Sequence, residues 1–127
     1  MKEIPQGLRV AFYLSTITGV IYGSMFFIIS LFSTGVLGWE MTDPGYRILG
    51  ASIIGIAIAT YLAARSSKWE EVRIVTVLQI IWPVLGSVAS IWGVTERALP
   101  SVAIANAVFG IGFTAVFVWF YLKMERS

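Results

Sequence analysis

Glu40, Asp43 and Arg47 fall within eight residues of one another, in the stretch WEMTDPGYRILGA at 39–51. Two carboxylates and a guanidinium this close form either a catalytic or binding cluster, or the polar turn between two apolar segments. A proline at 44 and a tryptophan at 39 favour the turn. Asp43-Pro44 has the form of a helix N-cap followed by proline at the first helical position, where a missing N–H costs nothing. Arg47 is harder to dismiss. A cation in the first turn of a helix opposes the macrodipole by about 0.3–1 kcal/mol, so it calls for a partner. Asp43, Glu40, Glu96 or a lipid phosphate could each serve, and a structural or lipid-anchoring role is favoured over substrate binding. Catalysis finds little else to work with. The chain has no histidine and no cysteine, which removes the usual general base, the usual haem and zinc ligands, and all thiol and disulfide chemistry. Neither an enzyme nor a cofactor nor a metal site is expected.

A second constellation is uncharged. Gln79, Pro83, Gly86, Ser90 and Gly93 recur at steps of four, three, four and three, one polar and small stripe on one helix. Pro83 cannot donate to the carbonyl of Gln79 and should kink the helix there. Trp82 sits beside it. The stripe is either a packing seam whose freed carbonyl a neighbouring helix satisfies, or one wall of a small cavity lined by Gln79, Trp82, Ser90 and Asn106. Pockets between bundle helices are common ligand sites.

The elements that must carry these residues follow from the distribution of charge. Of the 127 residues 57% are apolar and 13% charged, against roughly 45–50% and 25% in soluble chains. No Asp, Glu, Lys or Arg occurs in residues 10–39, 48–64, 74–95 or 98–122. Apolar runs of about 18 residues or more read as transmembrane helices. The second run is just short, and the helix start at Pro44 restores it. The expectation is a single all-α domain over residues 1–127: an integral membrane antiparallel four-helix bundle with helices at about 7–34, 44–65, 68–94 and 100–123. Ser67 and Glu70 have capping-box spacing before the third helix, and Leu99-Pro100 marks the start of the fourth. The first segment is too long, and its basic flank too thin, for a signal peptide, so it is read as retained.

Lys and Arg number seven at the N-terminus, middle loop and C-terminus, against two, Arg47 and Arg97, in the other loops. By the positive-inside rule both termini are cytoplasmic in the cell membrane. Trp39 and Trp92 fit an outer aromatic belt, and Trp69 and Trp119 an inner one. Small residues that let helices approach form rows at Thr16, Gly19, Gly23, Ser30 and Thr34, at Ala51, Gly55, Ala59 and Ala63, and at Ala103, Ala107, Gly110 and Thr114. They could serve the bundle or an oligomer. No charge lies deep in any span, which argues against proton- or sodium-coupled transport.

The stretch DPGYRILGASIIGIAIATYLAARSSKWEEVR resembles a pattern in small four-helix membrane proteins of bacteria and archaea, similar in plan to DoxX-like proteins. There a proline-containing external loop leads to Arg-x-Leu-Gly, and an Ala-Arg-x-x-x-Trp turn leads to the third helix. The resemblance covers about residues 39–93 and implies Arg47, Gly50 and Trp69 as signature positions. Some DoxX-like proteins are associated with quinol oxidases, but the pattern itself implies no activity. Small multidrug exporters carry a glutamate in the first helix that this chain lacks, and the charge bias argues against the dual insertion of fluoride channels. The expected function is a non-enzymatic accessory or structural subunit of a larger membrane assembly. The alternatives are a binder or carrier of a lipophilic small molecule, a quinone or a lipid, and, third, a homo-oligomeric pore. Expected partners are membrane lipids and either further copies or other membrane subunits. Nucleic acid is not expected, because the basic residues flank apolar segments rather than forming one patch.

Overall fold

The computed structural model describes residues 2–28, 45–97, 101 and 103–127. They form four helices, α1 (Gln6–Phe27), α2 (Gly45–Arg65), α3 (Trp69–Thr95) and α4 (Ala103–Arg126). Each is long and apolar enough to cross a membrane, with mean hydropathy of 1.5 to 2.0 over its most apolar window. Within those windows only 22% to 28% of residues are buried. A helix that is apolar all round and mostly uncovered suits a lipid surround, not water.

The ends of the helices have local causes. Glu70 and Glu71 sit in the first turn of α3, and Lys123 and Arg126 in the last turn of α4, each charge complementing the dipole at its end. α1 gives way to a turn at Ile28, whose N–H bonds the carbonyl of Ser24; its expected continuation to Thr34 lies outside the described residues. So do the Asp43-Pro44 cap of α2 and the Leu99-Pro100 start of α4. The capping box expected at Ser67 and Glu70 does not form. Lys68 holds the N-cap position without a side-chain cap, because the first N–H of α3, that of Trp69, bonds the carbonyl of Lys2 at 2.8 Å. A backbone partner has replaced the side chain.

That partner belongs to a short N-terminal strap. Ile4 N–H bonds the Ser67 carbonyl at 3.0 Å, Glu3 pairs with Lys68 as an isolated β-bridge, and Lys2 Nζ donates to the carbonyl of Met124. The strap, the α2–α3 link and the end of α4 therefore meet at one end, here called basal.

The helices pair as two hairpins, and small residues set the closest approaches. In the first, Gly19 faces Ala57, and a Cβ on Gly50 would lie 2.5 Å from the Phe27 nitrogen. The hydroxyls of Thr16 and Thr60 meet at 2.8 Å. In the second, Gly110 lies against the carbonyl of Pro83, and Ser87 donates to the carbonyl of Ala107 at 3.1 Å. The rows read on α1 and α4 thus face their partners where they are described. The row on α2 does so only at Ala63, which is buried in the basal core. Gly55 has nothing within 4 Å of a would-be Cβ and Ala51 is exposed; the other buried residues of α2 are Gly50, Ala57, Thr60 and Ala64. Small side chains fit a packed face or an open one, and the bulk of Ile54 against Gly23 decides which is inside.

The hairpins touch each other mainly near their two ends. At the basal end Phe12 and Phe117 meet at 5.4 Å within a core that includes Leu8, Trp69 and Val72. Trp69, expected in an aromatic belt, is instead 2% exposed there, its Nε1 donating to Glu125 at 3.3 Å. At the far end Phe26 and Ala103 anchor a smaller cluster. Between the two clusters the hairpins part.

Candidate ligand cavity

The gap between the hairpins is a cavity of about 490 Å³ walled by all four helices. Gln79, Trp82, Ser90 and Asn106, the four residues singled out from the sequence, all line it. Their meeting follows from helical spacing on two neighbouring segments. Contacts descend α3 as they ascend α4: Asn106 Nδ2 donates to Ser90 Oγ at 3.2 Å, Ser87 reaches Ala107, and Thr114 donates to the carbonyl of Ile80 at 3.4 Å. That last carbonyl is the neighbour of the Gln79 carbonyl, which Pro83 leaves without its helical N–H. α3 nevertheless stays helical from Trp69 to Thr95.

Among the wall's polar groups, Gln79 and Ser15 make no hydrogen bond among the described residues. Gln79 is 5% exposed, and its side chain has no hydrogen-bond partner among the described residues. Ser15 Oγ on α1 is buried without a partner, although a helical serine usually bonds the carbonyl one turn back, as Thr16 does here to Phe12. Leaving such a group unmade costs about 1–3 kcal/mol, and lipid supplies no water to relieve it.

The remaining wall is apolar and aromatic. Tyr22, Phe26 and Tyr46 close the far end, Phe26 and Tyr46 stacking at 5.8 Å and 9°. On α1 the signal for this wall was present: Ser15, Gly19, Tyr22 and Phe26 follow one another at steps of four, three and four. Phe109 and Phe113 of α4 line the cavity and also a second groove of about 310 Å³ between α1 and α4. Nothing in the sequence links those two phenylalanines to a pair of cavities.

The charged stretch gives a different picture. Arg47 is exposed in the first turn of α2. Glu40 and Asp43 lie outside the described residues. Glu96 accepts a hydrogen bond from Trp92 Nε1 and makes no ion pair with Arg47. The ion pairs among the described residues are basal, Arg73 with Glu125 at 2.7 Å and Lys68 with Glu3 at 3.8 Å. No group of three or more potential metal-binding carboxylates occurs among the described residues. No Asp, Glu, Lys or Arg among them lines the cavity. What the arrangement offers is therefore neutral hydrogen bonding inside an apolar, aromatic slot. No protein-family model, curated protein or solved structure matches the chain.

Proposed function

We propose that the chain is a multi-pass protein of the cell membrane, an antiparallel four-helix bundle with both termini cytoplasmic, that binds a lipophilic small molecule between its hairpins. The observation that carries this reading is Gln79: a buried amide without a partner, facing a cavity of the size that holds small ligands, about 300–1,000 Å³. The basal location of seven Lys and Arg residues, on or beside the strap, the α2–α3 link and the end of α4, supports the orientation. The likeness to DoxX-like proteins over residues 39–93 fits the plan of the chain and adds no ligand to it.

The test is lipid extraction from purified wild type, Gln79→Leu and Trp82→Leu. Interhelical polar groups of this kind contribute only about 0.6 kcal/mol to folding, so both variants should keep the fold and lose a co-purifying molecule. An identical lipid profile in all three would remove the binding reading.

A second reading, an accessory subunit held in a larger assembly, draws on the outward row of Ala51, Gly55 and Ala59. With Gly55 open, that face of α2 admits close approach by a helix of a partner or a second copy. Native mass spectrometry of gently solubilised protein would report partner and ligand together.

A further inference from the structure

Ser15 and Gln79 belong to opposite hairpins yet stand nearly level. Ser15 is nine residues into α1 and Gln79 ten into α3, and the strap holds the basal starts of the two helices side by side. Each is also five residues past the start of its charge-free run, at Val10 and Ile74, about 7.5 Å at 1.5 Å per residue and roughly a quarter of the way through a hydrocarbon layer ~30 Å thick. Ser15 Oγ is buried without a partner and the Gln79 amide, 5% exposed, makes no hydrogen bond among the described residues, whereas Ser87, Ser90 and Asn106 already bond each other or the backbone.

We propose that the ligand carries one uncharged hydrogen-bonding head, an alcohol or a carbonyl, docked between Ser15 and Gln79, with its apolar body directed along the slot toward Tyr22. This rests on the reading of the cavity as a ligand site. A hydroxyl and a primary amide each donate and accept, so together they take either head. They offer no counter-charge, and an ion held there would lack compensation. Depth adds a second filter. A phospholipid or ionised fatty acid would have to draw its charged head group about 7.5 Å into the hydrocarbon, a cost that a neutral head does not carry. From Gln79 to Ser90 the slot runs eleven residues, about 16 Å along α3. It holds an extended or fused-ring body, not a head alone.

The test uses three photoactivatable single-chain probes with identical diazirine-bearing chains and a terminal hydroxyl, carboxylate or trimethylammonium. Each is cross-linked to purified protein in lipid nanodiscs, and the labelled peptides are mapped by mass spectrometry. The hydroxyl probe should label the cavity wall about tenfold more than either charged probe. Ser15→Ala and Gln79→Leu should each lower that labelling about two- to tenfold, the value of one neutral hydrogen bond. Ser15→Ala removes only an unsatisfied hydroxyl and should fold, so the head comparison on wild type together with that variant decides the matter even if Gln79→Leu is unstable. Equal labelling by all three heads would overturn the inference while leaving the cavity a lipid site. Head-selective labelling indifferent to both variants would overturn the docking position. No labelling of the cavity by any probe would overturn the inference and the proposed function together.

Discussion

At the scale of single residues, two glycines of α2 make opposite demands. A Cβ on Gly50 would meet the Phe27 nitrogen at 2.5 Å and the Gly23 oxygen at 2.7 Å. Both are backbone atoms, which cannot step aside as a side chain would, so Gly50→Ala must push the two helices apart. The expected loss is about 1–3 kcal/mol of stability in detergent, the usual cost of overpacking. Gly55 meets nothing, and alanine there should be neutral or stabilising by up to about 1 kcal/mol through helix propensity. Thermal unfolding of both variants checks this. A destabilised Gly55→Ala, or one that elutes at a smaller size, would show that the outward row of α2 is covered in the native assembly. Arg47 remains the residue the polar opening stretch raised. It stands exposed at the start of α2 and makes no pair with Glu96, while its other candidate partners in the chain, Glu40 and Asp43, lie outside the described residues.

At the scale of elements, the strap outweighs its modest length. It is fixed by backbone hydrogen bonds and by Ile4, which is 7% exposed, more than by the Glu3–Lys68 pair, in which Glu3 is largely exposed. Ile4→Ala should therefore cost about 2–4 kcal/mol, as for a buried isoleucine, while Glu3→Gln should change stability by well under 1 kcal/mol. Chemical denaturation of the detergent-solubilised variants separates the two. The strap also marks the limit of what the sequence made legible. Four helices could be read because uncharged apolar runs of membrane length have few other uses. The cavity residues could be read because helical spacing on α3 and α4 puts them on facing sides of neighbours. Lys2, Glu3 and Ile4 carry no periodicity, so their pairing with the α2–α3 link was not legible, and the side-chain cap assigned to Ser67 was displaced by it. Trp69 was assigned to a belt from its sequence position near a span end, which does not distinguish a ring facing lipid from one packed edge-on against Tyr121 in the basal core.

At the scale of the whole molecule, the hairpins make a clamp joined near both ends and parted between. Their outer surfaces are apolar almost throughout: Ile48, Ile74, Leu85 and Trp92 are each more than 60% exposed. That surface is the strongest argument for a bilayer around it. The charge bias adds direction. A reporter active only in the cytoplasm should work when fused after Ser127 and fail when inserted at Thr42. The opposite pattern would invert the orientation and place Arg47 inside.

The order in which the chain is made gives the strap a further meaning. Ser67, the first of its partners to be made, precedes Met124 by 57 positions. At about 5–20 residues per second, that interval is roughly 3–12 s of translation. Through that interval the first hairpin can zip along its glycines and the strap can close on the α2–α3 link, while the Lys2 ammonium has no carbonyl of Met124 to meet. The cavity acquires its second half only as α3 and α4 arrive. On the proposed reading of the cavity, a lipophilic molecule would be enclosed during assembly rather than threaded in afterwards, and a nascent chain stalled before α4 would hold its strap but lack a complete cavity.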